Sequence, residues 1–341
     1  MKDFETDVLE QYHIEVKGTR KTRGAILCDT DRGMLLLKEL TFSEKRVPLL
    51  YKLCHQLEEK GYGLVDTIVP NKEGEYVTSA PDQTKYILKR WYGGRECDVR
   101  NEEELCSATA NLAYLHNLMA GADVLEEGTV VREHDLKEEY QRHNRELRKV
   151  RTFIRNKVGK GEFELLYLKE FEEQHALGEA VVRKLETDHY ETLRQKSKTE
   201  HTWIHGDYNY HNVLMTYRGV ATTNFEHFRE DIQMADFYYF LRKVMEKCQW
   251  NERIGNMLLE TYDKGKTISR EELDYLAVRL AYPEKFWKVA NSYYHSNKAW
   301  IPEKRCRKIT DIYCTDRKEE SVFERFIFFS FIVTCCIIDK K

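Results

Sequence analysis

The sequence predicts an α+β protein with two lobes, a small antiparallel β-rich lobe at the N-terminal end and a large helical lobe after it. In the N-terminal part, short apolar segments alternate with turn residues such as Gly and Asp, which is typical of strands and hairpins. Longer segments follow in which apolar residues recur every three or four positions, which is typical of amphipathic helices. The expected small lobe is residues 1–91, and the expected large lobe is residues 92–341.

Composition and charge limit the classes of protein that the chain can belong to. The 341 residues can bury a substantial core, and 55 basic against 58 acidic side chains give a formal net charge of −3. This balance gives no reason to expect nucleic acid or a membrane surface as a partner. The nine cysteines include no C-x-x-C pair, so we expect free thiols in a reducing compartment. The first residues are polar and acidic, unlike a secretory signal peptide.

Strands and one helix can be assigned in the small lobe. Residues 24–28 and 34–38 are apolar segments joined by the turn residues 29–33, and they predict a β-hairpin. A helix is predicted from Ser43 to about Lys60, because apolar residues recur there at helical spacing. These residues are Val47, Leu50, Leu53, Cys54 and Leu57.

The large lobe is predicted to consist mainly of helices. Asn101 is positioned to cap a helix over residues 101–118. Residues 132–200 form a charged helical insertion before the next motif, and we leave open whether its basic residues form a solvated face or bind an acidic partner. These basic residues are Arg142, Arg145, Arg148, Lys149, Arg151, Arg155 and Lys157. Later helices are predicted over residues 237–247, 254–264, 270–280 and 284–296.

A continuous apolar segment occupies residues 326–338. A transmembrane helix needs about 20 such residues, so the segment is short for a membrane span. We expect a buried terminal element and no membrane association, with a tail anchor as the alternative.

The most informative stretch of the chain begins at His205. His205, Asp207 and Asn212 have the spacing H-x-D-x-x-x-x-N. This is the spacing of the kinase catalytic loop, in which the Asp takes a proton from the acceptor hydroxyl and the Asn binds a magnesium ion. The apolar residues 213–215 and the turn 217–219 predict a β-hairpin directly after the loop. We therefore predict Asp207 and His205 as catalytic residues and Asn212 as a metal ligand.

The catalytic loop, the hairpin and the later Asp236 together resemble the aminoglycoside and choline kinase superfamily. Three longer strings resemble one branch of it, the CotS-type spore coat proteins of endospore-forming bacteria. These strings are HGDYNYHNVL, TNFEHFREDIQMADFYYFLRK and RLAYPEKFWKVANSYYHSNKAWIPEK. The resemblance covers nearly the whole chain and implies the two-lobed protein-kinase-like fold.

The resemblance also implies ATP as a cofactor, together with Mg²⁺. Lys38 ends an apolar strand before a helix, where a kinase lysine reaches the α- and β-phosphates. The basic segment 18–24, which contains Arg20, occupies the place of the phosphate-covering loop. It is neither G-x-G-x-x-G nor a Walker A sequence, and an exposed basic hairpin is the alternative. The helix after Lys38 should carry its acidic partner, for which the candidates are Glu44, Glu58 and Glu59.

The end of the small lobe is predicted to contact the base of the nucleotide. Residues 86–94 would form the last strand of this lobe and the hinge to the next. In a kinase fold the hinge backbone pairs with adenine, so residues 88–92 would line that pocket. The predicted contacts are Leu88, Lys89 and Trp91.

The second metal ligand of this superfamily is an Asp on the strand after the catalytic loop, and Asn224 stands in its place. Mg²⁺ prefers anionic oxygen ligands, so the neutral amide should weaken the binding of magnesium and ATP and slow turnover. Glu226 and Asp231 are candidates for supplying the missing carboxylate, and a degenerate site is the alternative. Asp236 is expected to anchor the catalytic loop by hydrogen bonds.

Two functions follow from these observations. The first is a spore coat-associated phosphotransferase that moves the γ-phosphate of ATP to a hydroxyl of a small molecule or coat component. The presence of Lys38, Asp207 and Asn212 favours it. The second is a catalytically impaired pseudokinase that serves as a structural coat protein. The resemblance implies other spore coat proteins as partners, and a location first in the mother-cell cytoplasm and then in the spore coat.

Overall fold

The computed structural model of the protein describes residues 3–22, 24–124, 134–186 and 188–295. The chain folds into two units. The first is made of residues 1–131, 197–244 and 257–267, and the second of residues 132–196, 245–256 and 268–341. The lobe boundary expected at residue 91 stays a prediction, and the apolar residues 326–338 lie outside the described residues.

An antiparallel sheet dominates the N-terminal part of the first unit. Its strands are β1 (Val16–Thr22), β2 (Ala25–Thr30), β3 (Gly33–Glu39), β4 (Ile68–Val69), β5 (Thr78–Ser79) and β6 (Lys85–Arg90). They are hydrogen-bonded in the order β1-β2-β3-β6-β4, and β5 also pairs with β6. Helix α1 (Asp3–Leu9) precedes the sheet, and helix α2 (Val47–Glu59) follows β3 after a 3₁₀ turn at Glu44–Arg46. The predicted small β-rich lobe is therefore confirmed.

The two faces of this sheet differ in character. One face packs on α1 and forms a buried apolar cluster that includes Leu35, Leu37 and Leu88. Successive side chains of a strand point to opposite faces. Lys38 of β3 and Lys89 of β6 therefore lie together on the other face, where the polar groups of the site are found.

Helices and short strands make up the rest of the described chain. The helices are α3 (Glu102–Met119), α4 (Leu136–Asn156), α5 (Glu162–Leu185), α6 (Asp188–Thr199), α7 (Met234–Lys247), α8 (Glu252–Gly265), α9 (Arg270–Ala281) and α10 (Glu284–Tyr294). The strands are β7 (Arg95–Glu96), β8 (Trp203–Ile204), β9 (Val213–Thr216), β10 (Gly219–Thr222) and β11 (Arg229–Glu230). The hairpin expected after the catalytic loop is present, because β9 pairs antiparallel with β10.

The second unit has an aromatic core formed by three of its helices. Buried residues of α4, α5 and α10 pack together there, and the Tyr167 and Phe286 rings stack with centroids 4.9 Å apart. On α4 the buried residues recur at helical spacing and include Leu147, Val150 and Ile154. Because these residues occupy one side of the helix, its other side is left to solvent.

Two further observations concern the whole described chain. Its five cysteines form no disulfide bond with one another, and they are Cys28, Cys54, Cys97, Cys106 and Cys248. Among the described residues, no helix combines the length and the apolar character that crossing a bilayer requires.

The start of α3 shows how a sequence signal becomes a structural contact. The Asn101 side chain accepts hydrogen bonds from the backbone N–H groups of Glu103 and Glu104, at 3.1 and 3.4 Å. These donors have no partner inside the helix, so the cap stabilises the first turn. The buried stripe of α3, which includes Leu105, Leu112 and Leu115, follows directly.

We expect Asn101→Ala to lower the free energy of unfolding by about 1 kcal/mol, because two backbone donors lose their acceptor. This corresponds to a fall in Tm of about 2–4 °C for a chain of this size, measured by differential scanning calorimetry. Asn156→Ala is the matched control, since Asn156 is an exposed terminal residue of α4. Equal melting temperatures for the two variants would contradict the capping role.

Candidate active site

A buried carboxylate fixes the shape of the catalytic loop. Asp236 of α7 is 1% exposed and accepts the N–H groups of His205 and Gly206 at 2.6 and 2.9 Å. Burial raises the pKa of this carboxyl, but the hydrogen bond from His116 and the loop contacts outweigh it and hold the pKa below its usual range. Gly206 has φ +81°, and a Cβ there would lie 2.1 Å from the His227 carbonyl oxygen. Asp236 thus anchors the loop, as the resemblance implies.

His205 is fully buried, and its ring bonds to backbone groups of Asp207 and Thr223. Its Nε2 lies 3.0 Å from the Thr223 carbonyl oxygen, and its Nδ1 lies 3.1 Å from the Asp207 amide nitrogen. Nε2 must donate and Nδ1 must accept, which defines the neutral tautomer. Both ring nitrogens are therefore bonded to backbone groups, and the catalytic role of His205 stays a prediction.

Asp207 is held by two amide side chains. Its Oδ1 accepts a hydrogen bond from Asn209 Nδ2 at 3.0 Å, and its Oδ2 accepts one from Asn212 Nδ2 at 2.9 Å. The residue is half-buried, so its carboxylate is accessible while its orientation is fixed. This is the arrangement that a general base requires.

Four predicted site residues are joined by a chain of hydrogen bonds. Lys38 Nζ donates to Asn224 Oδ1 at 3.2 Å, and Asn224 Nδ2 donates to Asn212 Oδ1 at 2.8 Å. Asn212 Nδ2 then donates to Asp207 Oδ2 at 2.9 Å. An ammonium only donates and a carboxylate only accepts, so the two ends dictate the orientation of both amides. The structure therefore brings Lys38, Asn224, Asn212 and Asp207 into one polar network.

Asn224 lies in a tight turn and not on a strand, because β10 ends at Thr222. Asn224 has φ +66°, a left-handed conformation that Asn tolerates better than most residues. Its N–H donates to Asp66 Oδ2 at 2.7 Å. The 3₁₀ turn Phe225–His227 follows and directs Glu226 toward Lys38.

Glu226 is the acidic partner of Lys38. The distance between Lys38 Nζ and Glu226 Oε1 is 3.0 Å. The prediction of a partner on the helix after Lys38 is therefore wrong, because the three candidates bond elsewhere. Glu44 pairs with Lys85, Glu58 with Arg90, and Glu59 with His55. Of the two candidates for the missing carboxylate, Glu226 joins the site, while Asp231 pairs with Arg229.

A second lysine lies behind Lys38 in the interior. Lys89 is fully buried and forms ion pairs with Asp66 and with Glu226, the latter at 2.9 Å. Burial lowers the pKa of Lys89, but the two carboxylates outweigh it and raise the pKa above its usual range. Burial raises the pKa of Glu226, but Lys89 and Lys38 outweigh it and hold that pKa well below its usual range. Asp66 was not predicted from the sequence, since a lone carboxylate after Val65 matches no motif.

The other predicted nucleotide contacts have different environments. Leu88 is buried in the apolar cluster on the α1 side of the sheet, opposite Lys89. The Trp91 N–H donates to the Met34 carbonyl oxygen at 2.9 Å. Arg20 is exposed on β1, and its side chain bonds to no other described residue. The roles of Leu88, Lys89, Trp91 and Arg20 in nucleotide binding stay predictions.

The arrangement can be tested for its fit to a magnesium ion. Asn212 Oδ1 accepts the Asn224 amide, and Asn224 Oδ1 accepts the Lys38 ammonium, so both predicted ligand oxygens are already bonded. Both oxygens are neutral, whereas Mg²⁺ prefers carboxylates. Across the described ranges, no cluster of three or more His, Cys, Asp or Glu residues is arranged to hold a metal. The residues do not fit a resident magnesium ion.

Together, the antiparallel lobe, the anchored catalytic loop and the lysine facing it define a kinase-like protein. The sequence identifies the family: residues 5–326 match Spore coat putative kinase YutH, and the chain belongs to this family. No match was found among curated proteins.

Solved structures share the fold. An aminoglycoside phosphotransferase from Alicyclobacillus acidocaldarius superposes with a TM-score of 0.83 at 16% identity, covering 95% of this chain and 96% of that chain. Spectinomycin phosphotransferase in complex with ADP and spectinomycin gives 0.59 at 11%, covering 90% and 92%. Choline kinase from Cryptosporidium parvum gives 0.53 at 13%, covering 93% and 93%. At these identities the likeness is one of fold, and it confirms the predicted kinase-like architecture.

We expect Glu226→Gln to lower the free energy of unfolding at pH 7 by about 3 kcal/mol, because Lys38 loses its ion-pair partner and the buried Lys89 keeps only Asp66. The folded pKa of Glu226 is depressed, so its contribution is complete above the unfolded pKa of about 4.3 and is lost as the pH falls below it. The Tm difference from wild type should therefore be largest near neutral pH and narrow below that value.

Glu59→Gln is the matched control, because Glu59 is an exposed residue of α2. Its Tm should follow that of the wild type at every pH. A Glu226→Gln difference that stays constant from pH 7 to pH 3 would contradict the ion-pair origin of the effect.

Proposed function

We propose that the protein is a kinase-like phosphotransferase of the spore coat with a low turnover. ATP together with its own magnesium is the proposed nucleotide substrate, and a hydroxyl of a small molecule or coat component is the acceptor. The single observation that carries the proposal is the placement of Asp207. Its carboxylate is held by two amides in an anchored loop, on the same hydrogen-bonded chain as Lys38.

In the proposed reaction the chain's own residues bind, orient and move a proton. Lys38 binds phosphate oxygens of the nucleotide, and Asn212 and Asn209 orient Asp207. The acceptor hydroxyl gives its proton to the Asp207 carboxylate as its oxygen forms a bond to the γ-phosphorus. The bond between the γ-phosphorus and the bridging oxygen breaks at the same time, and ADP leaves with the electron pair.

Binding of a phosphate at Lys38 has a definite structural requirement. In the present arrangement, the Lys38 ammonium donates to Asn224 and Glu226. Lys38 is about a quarter exposed, with a side-chain value of 27%, so a phosphate can approach it. Glu226 keeps its second ion pair with Lys89, so Lys38 can leave Glu226 without stranding a buried, unpaired carboxylate.

The second candidate function is a pseudokinase that serves as a structural coat protein. The observation that favours it is the contact between Asn224 and Asn212. These amides satisfy each other at 2.8 Å, whereas an Asp at position 224 would present a second oxygen and leave an acceptor without a donor. The same substitution that weakens metal binding therefore stabilises the free protein.

Family membership supports the spore coat as the setting of this function. We propose other coat proteins as partners and synthesis in the mother-cell cytoplasm before assembly into the coat. We propose that the charged helices α4, α5 and α6 select the acceptor, because they form the insertion that the sequence predicts before the catalytic loop.

We expect Asp207→Ala to abolish ATP turnover, because the acceptor hydroxyl loses its base. Turnover is measured as ADP release in the presence of magnesium and candidate hydroxyl acceptors, and folding by the Tm. Asp98→Ala is the matched control, since Asp98 is a partly exposed residue that pairs with its neighbour Arg100. Turnover of Asp207→Ala at the wild-type rate would remove Asp207 from the mechanism.

We expect Asn224→Asp to make the binding of ATP more dependent on magnesium, because a carboxylate, which Mg²⁺ prefers, replaces a neutral amide. The measurement is Tm with ATP, with magnesium or with EDTA. Ligand at about 100 times its dissociation constant stabilises by about 2.7 kcal/mol, which is a readable shift. The variant should show a larger magnesium-dependent shift than the wild type, and a lower Tm without ligand.

The wild-type protein distinguishes the two candidate functions in the same experiment. A magnesium-dependent shift together with ADP release supports the phosphotransferase. A shift that EDTA does not change, without ADP release, supports the pseudokinase. No shift at millimolar ATP would overturn the phosphotransferase and would favour a structural coat protein that has lost nucleotide binding.

A further inference from the structure

The solvent face of α4 carries a row of positive charge that begins one turn after the exposed Glu138. Its five cations are all exposed, and they are Arg142, Arg145, Arg148, Lys149 and Arg155. The other exposed positions between residues 142 and 156 are Thr152, Phe153 and Asn156, so no exposed acid interrupts the row. We call these five residues the α4 basic row.

The α4 basic row occupies one face of the helix. An α-helix rises about 1.5 Å and turns about 100° per residue, so the row is about 20 Å long and lies within about 140° of the helix circumference. It lies opposite the buried side of α4, which includes Leu147 and Val150. Acidic residues border it, with Glu146 on one side and Glu172 of α5 on the other.

The row is also uncompensated. None of its five cations forms an ion pair with another residue in the part of the chain that the structure describes. Cations of this segment that face the neighbouring helix are paired: Arg151 bonds to Glu172, and Lys157 lies 2.6 Å from Glu164. Whether a cation is paired therefore depends on the side of the helix on which it lies, and not on whether it is Arg or Lys.

Composition does not account for this arrangement. The chain has 58 acidic residues and a net charge of −3, so acids are plentiful. Like charges three or four positions apart on a helix repel each other, and a solvated face is more stable when opposite charges alternate. A row of cations that destabilises the free helix is compensated when an anionic partner binds.

We propose that the α4 basic row binds an acidic segment of another protein, a stretch of Asp and Glu side chains that lies along the helix. Four of the five cations are arginines, whose guanidinium groups bind carboxylates through two parallel hydrogen bonds. A row about 20 Å long with acidic borders on a net-negative chain favours one short acidic peptide over nucleic acid, whose dense charge would meet repulsion beyond the row. This proposal is independent of any catalytic activity.

The test uses the full chain and a fluorescently labelled peptide of 20 glutamates, with binding measured by anisotropy. We expect binding at low ionic strength that weakens as salt approaches physiological concentration, because exposed charges are screened within about 8–10 Å there. Arg145→Glu should weaken binding about fivefold, the order expected when an attractive exposed contact becomes repulsive.

Lys169→Glu is the matched control, since Lys169 is an exposed residue of α5 and the substitution changes the net charge equally. It should bind the peptide like the wild type, and neither variant should melt below the wild type. Equal weakening by the two variants, or no binding at low salt, would overturn the proposal. A single-stranded DNA of 20 nucleotides that binds more tightly than the peptide, and is equally sensitive to Arg145→Glu, would overturn the acidic-peptide assignment.

Discussion

The hydrogen bonds between the buried Asp236 carboxylate and the N–H groups of His205 and Gly206 are the interaction on which the site depends. Two backbone donors in a turn with a left-handed glycine have no secondary-structure partner, and burying them unpaired would be costly. Asp236 satisfies both and remains ionised in the interior. The direction of the loop after Gly206 is thereby fixed, and with it the position of Asp207. The hydrogen bond between Asp207 and Asn212 depends on this position.

A series of hydrogen bonds links Lys38 through Asn224 and Asn212 to Asp207. These bonds hold together the side chains that a metal ion holds together in kinases. Oxygens that would repel one another around an empty metal position are here separated by amide protons. The network connects a cation to an anion without a net charge in between, so it is stable in the free protein. The proposed low turnover and the pseudokinase alternative both start from this feature, and they differ in what happens when phosphates arrive.

Much of this arrangement could be predicted from the sequence, because the signals are local. The H-x-D-x-x-x-x-N spacing, the hairpin after it and the cap at Asn101 depend on residues close together in the chain. The partner of Lys38 could not be predicted in this way. Glu226 reaches Lys38 only because β10 ends at Thr222 and Asn224 adopts a left-handed turn, and Asp66 meets Lys89 only through the tertiary fold. Contacts between distant segments follow from packing, which a single sequence does not reveal.

The sharing of Glu226 by Lys38 and Lys89 has a consequence for how ligands compete in this site. One carboxylate oxygen serves two ammonium groups, of which only Lys38 has access to solvent. An incoming anion therefore displaces Glu226 from Lys38, and the buried Glu226 keeps its ion pair with Lys89 throughout the exchange. The affinity of Lys38 for an anion is then set by a difference in free energy, between its ion pair with that anion and its ion pair with Glu226. Small anions with weak charge would be excluded, and polyvalent ones admitted.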